Sequence, residues 1–118
     1  PTPTQYAVRP ALEGDKGFLN QFKQEIMNRR DFVVSAVSKI ERLSCDVPAA
    51  AFYVMIKADD PLGRPDEEFV LDLLERTGVL VVPGSGFGAD PARGLFRLVY
   101  LPDEQVLSDV FERISRCL

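Results

Sequence analysis

Apolar residues recur through residues 17–43 at Phe18, Leu19, Phe22, Ile26, Val33, Val37, Ile40 and Leu43. The steps are mostly three or four, which draws a single stripe along a helix. Asn20, Lys23, Gln24, Asn28 and Arg30 lie largely off that stripe. A helix of roughly 27 residues is about 40 Å long at the standard rise per residue. That is more than a small domain needs, so the pattern predicts a helix that bridges two domains or is kinked.

The rest of the chain is punctuated more closely. Residues 1–4 are predicted extended or turn-like, because a residue preceding proline is pushed out of the helical region. A brief helix is predicted over residues 5–12, disturbed at Pro10 and ended near Gly14. Residues 50–57 are rich in strand formers and run into the turn-rich Asp59-Asp-Pro-Leu-Gly63. Asp66 is placed to cap a helix, with Glu67 and Glu68 at its positive end and Phe69, Val70, Leu73 and Leu74 facing inward. Gly78 stops that helix. Residues 79–82 form an apolar run suited to a buried strand. Pro83-Gly-Ser-Gly-Phe-Gly88 reads as a loop, residues 95–101 as a strand, and Pro102-Asp-Glu104 as the start of a last helix with Val106, Leu107, Val110, Phe111 and Ile114 inward. The order predicts an α+β, two-layer unit: a small sheet with helices packed on one face and a long N-terminal connecting helix.

Composition removes several kinds of chemistry. The 118 residues include no histidine, so serine–histidine and cysteine–histidine catalysis and every histidine-ligated metal site are excluded from this chain. Net charge is −4, and the 14 Lys and Arg are dispersed, against the concentrated basic face that binds nucleic acid. No apolar stretch is long enough to cross a bilayer, and no signal-peptide pattern is present. Cys45 and Cys117 lie far apart without ligand spacing and are expected as reduced thiols in a cytoplasmic protein. The opening Pro1-Thr-Pro-Thr4, without an initiator methionine, leads to the expectation that the chain is a piece of a longer protein.

Arg97 is the residue that chemistry singles out. Alternation along Leu95-Phe-Arg-Leu-Val-Tyr-Leu101 sets Leu95, Arg97, Val99 and Leu101 on one face. A guanidinium among apolar neighbours is costly unless an anion meets it, and its planar fork suits a carboxylate bidentately. Arg97 is therefore a candidate for binding a substrate carboxylate. On spacing alone the plainer accounts stand in front: an edge-strand arginine, or one paired with Asp or Glu of its own domain. Gly84-Ser-Gly-Phe-Gly88 fits no phosphate loop, because it neither opens a helix nor carries Gly-Lys-Ser/Thr; it is expected to supply positive-φ or close-contact positions. The pairs Asp59-Asp60 and Glu67-Glu68 read as a solvated turn and as helix-start electrostatics, so no metal site is expected. The Tyr53 and Tyr100 hydroxyls are open to a ligand, although strand tyrosines more often pack.

Three stretches taken in order resemble the class I (fold type I) pyridoxal-phosphate-dependent aminotransferases. Pro48-Ala-Ala-Ala-Phe-Tyr53 resembles that family's Pro-x-Gly-Ala-Phe/Tyr-Tyr lead-in to the small-domain sheet. Leu73-Leu-Glu-Arg-Thr-Gly-Val-Leu-Val-Val-Pro-Gly-Ser-Gly-Phe-Gly88 is similar to its helix, strand and Pro-Gly-Ser-x-Phe-Gly loop. Phe96-Arg-Leu98 resembles the strand that carries the family's substrate arginine. Nearly the whole chain is covered, and the second stretch looks closest to the alanine-aminotransferase-like branch.

The resemblance implies that Arg97 forms a bidentate pair with the substrate α-carboxylate. It further implies that residues 1–15 are the tail of the large cofactor-binding domain and that residues 16–118 are the C-terminal small domain with its connecting helix. Pyridoxal phosphate, its Schiff-base lysine and every catalytic residue would belong to the large domain, so no cofactor-binding or catalytic residue is assigned here. The implied whole is a cytoplasmic homodimer transferring an amino group between an amino acid and a 2-oxo acid, with this piece not competent alone. A lyase or synthase of the same superfamily and a non-enzymatic regulatory domain stay open as alternatives. Ala50 stands where the family usually has glycine, which bears on pocket width or domain closure.

Overall fold

A computed structural model describes residues 1–118. Its elements are α1 (Thr2–Glu13), α2 (Gly17–Ser38), β1 (Leu43–Cys45), β2 (Tyr53–Ala58), α3 (Asp66–Thr77), β3 (Val82–Pro83), β4 (Leu95–Val99) and α4 (Glu104–Cys117). The strands form one antiparallel sheet in the order β1-β2-β4-β3. The α+β class and the helix-backed small sheet are as the sequence predicts.

The core lies on one face of the sheet. Val54, Ile56 and Ala58 of β2 and Phe96 and Leu98 of β4 alternate inward. They meet Val33 and Val37 of α2, Phe69, Val70 and Leu73 of α3, and Leu107, Phe111 and Ile114 of α4. The three helices thus bury stripes of 3.6 periodicity against a strand period of two. Gly78 ends α3 at φ 70°, where glycine escapes the cost that a side chain bears in the left-handed region. Asp103 caps α4, its Oδ1 accepting the Val106 N–H at 2.9 Å.

Several boundaries differ from the sequence reading, each for a local reason. Helix α1 begins at Thr2 rather than Gln5, because Pro3 falls in the first turn, where an amide hydrogen has no helical acceptor. Pro10 is accommodated inside it, and all of α1 is exposed. Helix α2 stops at Ser38, not near Leu43. Its apolar spacing continues through three-residue turns: Ile40 N–H donates to Val37 O, and Leu43 N–H to Ile40 O. These steps preserve the inward side while the chain bends into β1, a strand hidden within the helical pattern. Strand β2 starts at Tyr53 rather than Ala50, because Ala51 sits at φ 68°. Residues 79–82 are not a strand throughout; only Val82 and Pro83 pair with β4, while Val79 and Val81 are buried and Leu80 points outward. Asp66 is the first residue within α3 rather than its cap.

Candidate carboxylate-binding site

The second face of the sheet carries Tyr53, Met55 and Lys57 from β2 and Leu95, Arg97 and Val99 from β4, and it is turned away from the core that α2, α3 and α4 fill. The sequence parity of Arg97 therefore holds, but the apolar ribbon it shares is the open face, not the core. Across the ladder Arg97 lies between Met55 of β2 and Val82 of β3. Because β4 is flanked on both sides, Arg97 does not occupy an edge strand.

No carboxylate of this chain takes Arg97 in an ion pair. Its side chain is half-buried, and its Nε is shielded from solvent without a hydrogen-bond partner. Two aromatic rings stand in its place: the Cζ is 4.1 Å from the centre of the Phe87 ring and 5.3 Å from that of Tyr53. Each such contact is worth roughly 0.5–2 kcal/mol, rising as water is excluded. The rings hold the cation without consuming its N–H donors. Both plainer accounts of Arg97 fail on this geometry.

Arg97 lines two hollows at once. One, of about 390 Å³, is walled by Tyr53, Met55, Phe87 and Leu95. The other, of about 520 Å³, shares only Arg97 with the first and is walled by Val82, Val99 and Leu101, with Asp109 and Arg113 of α4 at its border. A half-buried guanidinium with free donors and mainly apolar walls suits a small carboxylate whose remaining substituent is less polar.

The turn bearing Phe87 is fixed from three sides. Gly84 is pressed onto β4, where an added Cβ would stand 2.7 Å from the Leu95 Cβ. Gly88 closes the turn at φ 83°. Between them the Ser85 N–H donates to Oδ2 of Asp66 at 2.6 Å. In the sequence alone Phe87 reads as a loop residue and Asp66 as a helix cap. The one available signal was an aromatic flanked by Gly86 and Gly88 with no periodic role in any element.

The other singled-out residues have structural partners. Tyr100 is buried; its hydroxyl donates to Ala51 O at 3.2 Å, and burial pushes its pKa up, against the opposing charge of Arg30. This bond ties β4 to the bend at Ala51. Ala50 has no positive φ, so the backbone makes no demand for glycine there. Asp60 accepts from Arg64, whereas Asp59 is exposed.

The family model "Aminotransferase class I and II" matches residues 1–114. The chain belongs to the class I and II aminotransferases. This aminotransferase chain is 39% identical over 121 residues to the probable aspartate/prephenate aminotransferase of Rhizobium leguminosarum bv. phaseoli, covering 95% of the former and 30% of the latter. It is 39% identical over 106 residues to the LL-diaminopimelate aminotransferase of Maridesulfovibrio salexigens, covering 90% and 26%. Among solved structures, the alanine aminotransferase from Pyrococcus furiosus superposes with a TM-score of 0.92 at 34% identity, over 98% of this chain and 29% of that one. The chain thus spans about 30% of the length of these relatives.

The family implies pyridoxal phosphate, and the residues of this chain do not fit that group. Lys23, Lys39 and Lys57 are exposed, and Lys16 is engaged with the carbonyls of Ala11 and Leu12. The glycine turn offers no cradle for a phosphate, since its Ser85 N–H is already held by a carboxylate that would repel a second anion.

Proposed function

We propose that this chain is the carboxylate-gripping small domain of a pyridoxal-phosphate-dependent aminotransferase, with Arg97 meeting the α-carboxylate of the amino acid and 2-oxo acid substrates. The single observation behind this reading is a half-buried guanidinium that has aromatic neighbours and no acid of its own. Its contribution is orientation: two parallel N–H···O bonds fix a carboxylate in position and in plane, leaving the rest of the substrate to be presented outward from the sheet.

Under this proposal, residues 1–15 form the tail of a large domain and residues 16–118 the small domain. The cofactor and the groups that move protons lie in the large domain, and this chain alone is inactive. The parent is a cytoplasmic homodimer. Support for a separate covering body comes from the bare sheet face and from exposed Tyr6, Val8, Leu12, Phe18 and Leu19 along α1 and the first turns of α2.

The test is Arg97→Leu in the full-length enzyme. The expected outcome is a loss of about 3 kcal/mol of transition-state stabilisation, on the order of a hundredfold in kcat/KM for the amino acid. Cofactor absorbance should be retained. Product analysis with pyruvate or 2-oxoglutarate as acceptor separates transamination from lyase or synthase chemistry. An unchanged kcat/KM would remove Arg97 from the role.

A further inference from the structure

Asp66 is the one buried charged residue in the protein, with 1% of its surface exposed. Its Oδ2 accepts the Ser85 N–H at 2.6 Å, while Oδ1 is shielded and has no hydrogen-bond partner. A buried carboxylate with a single side-chain bond is a poor way to stabilise a fold, because its desolvation is met by so little. What that bond does is hold one turn. Two residues beyond Ser85 the same turn carries Phe87, and the Phe87 ring lies 4.1 Å from the Arg97 Cζ. Phe87 is not a core residue: it is 53% exposed and absent from the buried cluster. Its placement therefore depends on the turn, and the turn is set by the Gly84 contact, by Gly88 and by Asp66.

We infer that Asp66 is a positioning residue for carboxylate binding, acting through the Ser85 N–H to hold Phe87 against Arg97. The ring confines the guanidinium and keeps water from one of its faces, which strengthens each hydrogen bond that it makes to an anion. Asp66 touches neither the arginine nor the carboxylate. Its influence passes along one backbone segment, from the first turn of α3 to the open face of the sheet. The inference rests on the carboxylate reading of Arg97 and adds to it a residue on the far side of the turn.

The experiment is a titration of the 118-residue protein with propionate, following the Arg97 Nε–H by ¹⁵N NMR, with the amides of Ile56 and Phe96 reporting the integrity of the core. Asp66→Ala is expected to weaken propionate binding roughly tenfold, as loss of the ring contact would. Phe87→Leu should weaken it by a similar factor, and the double variant should be no weaker than either single one. Asp66→Asn, which keeps the acceptor for Ser85, should return most of the affinity. If Asp66→Ala does not fold, Phe87→Leu carries the test, because affinity unchanged by that substitution overturns the inference. Additive losses in the double variant, or wild-type affinity in folded Asp66→Ala, overturn it too while leaving Arg97 as the anion site. A wild-type Arg97 resonance that ignores propionate sinks the carboxylate reading itself, and the inference with it.

Discussion

Two arginines sit over aromatic rings in this molecule, and their surroundings are opposite. Arg64 lies 5.9 Å from the Phe69 ring centre and brings its own acids: Asp60 at 2.8 Å and Asp72 at 3.1 Å. The Asp60 side chain is only 6% exposed, and its oxygens also accept the Arg64 N–H. Arg97 has rings at 4.1 and 5.3 Å and no acid. A guanidinium that serves the fold has its donors occupied from within. On the proposed reading, one whose donors are left open, on the face turned away from the core helices, takes an anion from outside. The rings are common to both surroundings; the carboxylates are not.

That contrast makes opposite demands on two substitutions. Arg97→Leu in the full-length enzyme should produce the largest effect, about 3 kcal/mol in kcat/KM, with thermal stability of the protein unchanged or slightly raised. A large drop in melting temperature would move Arg97 into the structural class. Arg64→Leu should do the reverse, destabilising the protein by about 2–3 kcal/mol because shielded Asp60 loses its closest cation and keeps only Arg42, at 3.8 Å. Chemical denaturation measures this, and a change under 0.5 kcal/mol would contradict it.

A smaller effect, of about 2 kcal/mol, is expected from Asp60→Asn, and it depends on pH. The hydrogen bond from Arg64 holds the Asp60 carboxyl below the ordinary carboxylate range, outweighing the opposing effect of burial. A group whose folded pKa is lowered contributes stability that is full above its unfolded value and lost as pH falls through its folded value. The gap between wild type and Asp60→Asn should therefore be complete at pH 7. It should close as the pH drops below about 3.9, the ordinary aspartate value. A gap constant from pH 7 down to pH 2 would show that the carboxylate charge is not what is being measured.

The amino-acid pattern revealed the fold where one period ruled. The inward residues of α3, those of α4 apart from Val106, which is exposed, and the alternation of β4 are legible, because each is dictated by a single helical or strand repeat. Strand β1 was concealed because Val37, Ile40 and Leu43 keep helical spacing while the backbone tightens and turns. The parity of Arg97 was legible, but the identity of the core face was not, since Leu95 and Val99 are as apolar as Phe96 and Leu98. Burial decides between the two faces, and burial depends on where α2, α3 and α4 pack. Phe87 and Asp66 were beyond reach for a related reason. Ser85 and Asp66 are 19 residues apart, and no local preference announces their hydrogen bond.

The most direct measurement compares the two arginines within one sample. In the ¹⁵N-labelled 118-residue protein titrated with propionate at constant ionic strength, the Arg97 Nε–H should shift saturably while the Arg64 Nε–H stays put. Parallel shifts at both positions, or none at either, would contradict the claim that Arg97, unlike Arg64, is held open for an incoming carboxylate.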